Sequence, residues 1–280
     1  MTLKHRVEDR HTTVSGLRWH YLDWGNAEAQ TFFMIHGFSS NAHAFDQTAD
    51  ALCDRFHVIA PDQRGHGDTD WASDGYDRHK YVEDLTRFVE GLGAKRFVLL
   101  GHSMGGMNVI EYAARHPQEV ERLIILDIGP EIVKAGISRI RKQSGQGPEE
   151  FESVEEVFKL KRSQDPTPPD EELRHRAQYA VKQLANGKWG WKYDKVLRSP
   201  QQPIRRAAPP TVLWDMLGQI PCPTLVIRGE TSDILSRETA QRMVEVLPNG
   251  KWVEVPGAGH RVPLDNLPGF LAVLRDYLGV

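Results

Sequence analysis

With 280 residues, 40% of them hydrophobic and 26% charged, the chain can bury one large α/β core or two modest ones. A formal net charge of −3 offers nucleic acid no basic field, and no apolar run approaches the ~20 residues that cross a bilayer. The start, Met1-Thr2-Leu3-Lys4, has no secretory apolar stretch, and Cys53 and Cys222 lack metal-ligand spacing. The expectation is a cytoplasmic protein with reduced thiols and neither a nucleic-acid nor a membrane partner.

Leu17 to Trp24 alternates in side-chain character and predicts a strand ending at Gly25-Asn26. Thr31 to Ile35 is a continuous apolar run, the pattern of a strand buried on both faces, and Phe56 to Ala60 reads as another buried strand. Residues 43–55 between them read as helical, and a polar, glycine-rich loop runs from Pro61 to Asp68. Val82, Leu85, Phe88, Val89 and Leu92 have helical spacing. Phe97 to Leu100 then breaks into Gly101-His102-Ser103-Met104-Gly105, a helix is predicted from Met104 to Arg115, and Leu123 to Leu126 is a further buried strand. This alternation argues for right-handed βαβ units and a mostly parallel sheet.

At Gly129-Pro130 the pattern changes. Charged helical segments, Val154 to Lys161 and Glu171 to Leu184, replace the strands until about residue 221. Alternation resumes with Thr224 to Gly229, a helix over 237–247, the strand Trp252 to Val255 and a last helix near 267–278. The expected organisation is an α/β core from residues 1–129 and 222–280, with a helical cap inserted at 130–221. A cap must turn some apolar surface toward the pocket it roofs, which makes Trp189, Trp191 and Trp214 candidate substrate contacts. Arg139, Arg141 and Lys142 could bind a substrate carboxylate.

The chemistry centres on Ser103. G-x-S-x-G between a strand and a helix forces a tight turn that lifts the serine Oγ above the sheet. A serine hydroxyl needs a base, and His260, in the small-residue loop Gly257-Ala258-Gly259-His260 after a strand, is the best placed of 12 histidines. The base needs an acid to fix its tautomer. Asp127 and Asp233 both follow strand ends, and Asp233 is preferred, in the order Ser…Asp…His. Two N–H groups must hold the oxyanion: that of Met104, after the nucleophile, and that of Phe38, in a loop where Gly37 lets the backbone come close. His102 adjoins the nucleophile.

Taken together, His36-Gly37-Phe38, Asp62-Gln63-Arg64-Gly65-His66-Gly67, the Ser103 elbow, Asp233 and Gly257-Ala258-Gly259-His260 resemble the α/β-hydrolase family over roughly residues 15–130 and 220–280. The resemblance implies an eight-stranded, mostly parallel sheet with a helical cap after the sixth strand, and hydrolysis without a metal or organic cofactor. The family's acid loop usually reads G-x-x-D, whereas Gly229 to Asp233 holds one residue more. Related haloalkane dehalogenases and epoxide hydrolases place aspartate where Ser103 stands, which argues against both activities. The expectation is a carboxylesterase acting on a small-molecule ester, as a monomer or homodimer. Carbon–carbon bond hydrolysis, lactone hydrolysis or perhydrolysis by the same residues, or a low-turnover ligand receptor, are the alternatives.

Overall fold

Eight strands pair in the order β1-β2-β4-β3-β5-β6-β10-β11 in the computed structural model, which describes residues 3–144, 147–198 and 210–280. β1 (Glu8–Val14), β2 (Leu17–Asp23) and β4 (His57–Pro61) pair antiparallel. β3 (Thr31–Ile35), β5 (Phe97–His102), β6 (Val120–Leu126), β10 (Thr224–Gly229) and β11 (Gly250–Val255) complete the sheet, and every pairing from β4 to β11 is parallel. This is the mostly parallel eight-stranded sheet that the resemblance implied.

The apolar runs fill both faces because successive strand residues point to opposite sides. Phe33, Leu99, Ile125 and Val226 belong to one buried cluster, while Phe32, Met34, Val98, Leu100 and Ile124 belong to the other. α1 (Asp46–Asp50) lies behind a 3-10 turn at Ala42–Phe45. α2 (Arg78–Leu92) and α3 (Met104–Arg115) supply Val82, Leu85, Phe88, Val109 and Ile110 to the first cluster. The final strand-rich stretch carries α9 (Arg237–Val246), α10 (Val262–Asp265) and α11 (Leu267–Leu278), and α11 packs Phe270 and Leu274 into the second cluster.

Between β6 and β10 the chain leaves the sheet. It forms α4 (Lys134–Ser144), β7 (Glu150–Phe151), α5 (Val154–Gln164), α6 (Asp170–Ala180), β8 (Val181–Gln183), β9 (Trp189–Trp191), α7 (Lys195–Arg198) and α8 (Pro210–Leu217). This segment is not purely helical: β7, β9 and β8 make a small antiparallel sheet of their own. The helix expected from Glu171 to Leu184 stops at Ala180, where Val181 turns extended and pairs with Trp191. Phe151, Val157, Phe158, Leu173, Ala177 and Val181 give the segment its own core. Among the described residues no helix is long and apolar enough to cross a membrane.

Candidate active site

Ser103 stands between β5 and α3 with φ 54° and ψ −118°, a strained conformation for a residue with a side chain. The strain is imposed by close packing. A Cβ on Gly105 would lie 2.3 Å from the Ile35 carbonyl oxygen, so only glycine lets α3 start directly against β3. The turn aims the Ser103 Oγ at His260, whose Nε2 is 3.0 Å away. A Cβ on Gly37 would sit 3.0 Å from the Ser103 Cβ, so the loop after β3 runs hard against the Ser103 turn.

The acid is where the structure departs from the sequence reading. His260 Nδ1 meets Asp127 Oδ2 at 2.8 Å, and Asp127 is fully buried. Oδ2 also accepts from the Ser232 hydroxyl at 2.5 Å, and Oδ1 accepts from the Gly229 N–H at 2.9 Å. Asp233, preferred above, faces elsewhere and is bound by both arms of the Arg139 guanidinium at 2.7 Å. The hydrogen bond from Arg139 and its positive charge hold Asp233 below the usual carboxylate range. The aspartate that reaches His260 therefore comes from the end of β6, not from the loop after β10.

A cavity of about 190 Å³ opens over Ser103 and His260, between the sheet edge and the inserted segment. Gly37 and Phe38 line it from the β3 loop, and His102 lines it beside the nucleophile. Burial and the neighbouring His260 push His102 well below the ordinary imidazole range, so its ring is neutral. Its Nε2 donates to the His260 backbone carbonyl at 2.8 Å, which ties the His260 loop to the Ser103 turn. Met104 opens α3, and its side chain packs with Ala72, Tyr76 and Tyr81.

Of the three tryptophans singled out, Trp191 alone lines the cavity. Trp189 packs on the core of the inserted segment. Trp214 sits in the main core, with its Nε1 donating to Glu131 at 3.1 Å. Of the basic trio, Arg139 is neutralised by Asp233 and Lys142 is exposed, while the Arg141 side chain lies outside the described residues. Sequence reasoning missed Lys161 and Arg176, which line the cavity together with the aromatics Tyr179 and Tyr193. Their signal was weak, since each lies on a charged or aromatic segment with no motif.

Among the described residues, two groups bring three potential metal-ligating side chains together. In one, His43 Nδ1 and His175 Nε2 each meet Asp46 Oδ2 at 2.9 Å; in the other, His20, Asp62 and Asp68 converge. Both groups are internally hydrogen-bonded, while Asp46 Oδ1 is buried without a hydrogen-bond partner.

A serine at a strand-to-helix elbow, with an imidazole and a buried carboxylate meeting it at the carboxyl edge of a parallel sheet, is an α/β-hydrolase arrangement. The profile of the α/β-hydrolase fold matches residues 30–267, and the chain belongs to that family. It is 31% identical over 255 residues to the 3-hydroxybutyrate-oligomer hydrolase of Cupriavidus necator, covering 87% of each chain. It is 28% identical to the 2-(acetamidomethylene)succinate hydrolase of Mesorhizobium japonicum, over 85% of this chain and 83% of that one. The crystal structure of an α/β hydrolase from Novosphingobium aromaticivorans superposes with a TM-score of 0.84 at 29% identity, covering 98% of this chain and 99% of the other.

Proposed function

We propose that the protein is a serine hydrolase that cleaves carboxylic esters through an acyl-serine intermediate. The observation that carries this is the single imidazole of His260 bridging Ser103 at 3.0 Å and Asp127 at 2.8 Å. With Nδ1–H donated to the Asp127 carboxylate, Nε2 is left with its lone pair toward the Ser103 hydroxyl. Ser103 Oγ attacks the ester carbonyl as Nε2 takes its proton, and Asp127 stabilises the imidazolium. The N–H groups of Phe38 and Met104 hold the oxyanion. The tetrahedral adduct collapses, and the departing alkoxide takes the proton from Nε2. Water then repeats the sequence on the acyl-Ser103 bond, giving the carboxylic acid and free enzyme. The segment at 130–221 acts as the cap over this site, and a cavity of about 190 Å³ favours small esters.

Titration with an organophosphonate, alongside release of p-nitrophenol from a panel of esters, tests the reading. Ser103→Ala is expected to lose on the order of 10⁴-fold or more in kcat while remaining folded. Asp127→Asn should cost on the order of 10³–10⁴-fold, because it presents the wrong partner to Nδ1. Asp233→Asn should cost far less. A more damaging Asp233 variant would refute the acid assignment, and stoichiometric labelling with no turnover of any ester would favour a receptor.

A further inference from the structure

The cavity over Ser103 is lined by four cationic side chains, Arg139, Lys161, Arg176 and Arg261, and by no aspartate or glutamate among the described residues. Two of the four are accounted for. Arg139 is held by Asp233, and Arg261 forms an ion pair with Asp165. Arg176, on α6, and Lys161, on α5, have no carboxylate within ion-pair distance among the described residues. The acids that attract Arg176 from farther away are Glu172, Asp265 and Asp46, and each is already engaged. Glu172 accepts from Gln47, Asp265 accepts from the Gly259 N–H, and Asp46 accepts from His43 and His175.

Long basic side chains on helices commonly lay their stems on apolar surface and reach out to bulk water. These two do not. Burial is the largest influence on both: it lowers Arg176, and together with repulsion from Arg176 and Arg261 it pushes Lys161 down to about 8. The Trp191 ring lies 5.7 Å from the Lys161 ammonium, which softens the cost without cancelling the charge. A pocket meant for a neutral acyl chain would be better served by leucine or methionine at both positions. Half-buried cations in a cavity wall with no carboxylate partner fit an anion delivered by the ligand.

We propose that the site takes esters bearing a free carboxylate, and that Arg176 and Lys161 bind that carboxylate under the inserted segment while the ester carbonyl lies at Ser103. The inference rests on the ester-hydrolase reading and names its substrate class. Arg176 supplies a planar fork and Lys161 a point charge, so together they can engage both carboxylate oxygens. The positive field of Arg176 also reaches His102, beside the nucleophile, so the anion subsite and the reacting serine share one enclosure.

The test compares the p-nitrophenyl monoester of glutarate with p-nitrophenyl hexanoate, a neutral ester of similar length, each corrected for the Ser103→Ala background. The wild-type protein is expected to prefer the acid-bearing ester at least tenfold in kcat/KM. Arg176→Gln and Lys161→Gln should each reduce that preference about tenfold or more, chiefly through KM, and Arg176→Lys should keep part of it. Binding of monomethyl glutarate to Ser103→Ala, followed by calorimetry, supplies a readout that needs no turnover. A neutral ester preferred by the wild type, with no binding to Ser103→Ala, would overturn the anion subsite and leave the serine chemistry standing. Binding lost on adding Arg176→Gln, but with neither ester cleaved, would uphold the subsite and sink the ester-hydrolase reading.

Discussion

Asp127 holds a φ of 51°, in the left-handed region that side chains other than glycine, asparagine and aspartate rarely enter. That turn at the end of β6 swings its carboxylate across to His260, and the Asp127 N–H to the Ile227 carbonyl at 2.8 Å keeps the strand end fixed. Chain order could not have chosen it, because Asp127 and Asp233 both fall between Ser103 and His260. The readable clue was the length of the Gly229 loop. In a G-x-x-D pattern the acid is the fourth residue, and the fourth residue here is Ser232. Its hydroxyl donates to Asp127 Oδ2 and receives the Ile234 N–H at 3.1 Å, so it braces the carboxylate that reaches His260. Ser232 is a positioning residue. Ser232→Ala should lower kcat by on the order of tenfold, the worth of one hydrogen bond to a charged group, and Ser232→Thr should restore most of it. Unchanged steady-state kinetics in the alanine variant would show that the brace is idle.

Among the elements, the loop from Asp62 to Asp68 is built on one buried carboxylate. Asp62 is buried and accepts the Ala42 N–H at 2.7 Å and the Asp68 N–H at 2.8 Å, so it closes the loop onto the 3-10 turn. It also meets His20 Nδ1 at 2.7 Å, while His20 Nε2 meets Asp9 at 3.1 Å; with both ring nitrogens on carboxylates the imidazole is charged. Burial alone would raise Asp62, but the hydrogen bond and charge of His20 hold it at about 2. Burial alone would lower His20, but Asp62 outweighs it and the net shift is upward. Asp62 thus stabilises the fold above its unfolded value of 3.8, and this is lost as pH falls toward 2. His20 stabilises it below 6.5, and this is lost as pH rises through its raised value. The pair contributes fully between about pH 4 and 6.5. His20→Gln should lower Tm most in that window and least at alkaline pH; a Tm deficit that does not vary with pH would dissolve the argument. The same contacts explain what the sequence hid. β1 has a nearly fully polar, exposed face, so periodicity could not find it, yet its Asp9 holds His20. The buried strands β3, β5 and β6 were legible because burial on both faces demands unbroken apolar runs.

At the scale of the whole molecule, the inserted segment meets the sheet over the serine: α8 packs Leu213 and Leu217 into the main core, and polar side chains add to the joint. Asn41 donates to the Tyr179 carbonyl at 2.8 Å, Lys192 pairs with Asp68 at 2.5 Å, and Arg139 grips Asp233. Charge with no carboxylate partner at such a junction works against the folded state, and Lys161 is the clearest case. Its value drops from 10.5 unfolded to about 8 folded, so the folded chain disfavours the ammonium. The sign follows directly. The penalty is full below about pH 8, shrinks as pH rises between the two values, and vanishes above 10.5. Lys161→Met removes the charge while keeping an apolar side chain of similar length against Trp191. It should therefore raise Tm at pH 7, by about 2–4 °C for each kcal/mol recovered, with the gain fading toward pH 10. The same substitution should cost preference for the acid-bearing ester, so stability and specificity would move in opposite directions, as they do where a site is kept charged for its ligand. Calorimetric scans of the two proteins across pH 6–10 decide it. A variant less stable than the wild type throughout that range would mean that the lysine is already satisfied in the empty protein, and the reason for expecting an anion there would go with it.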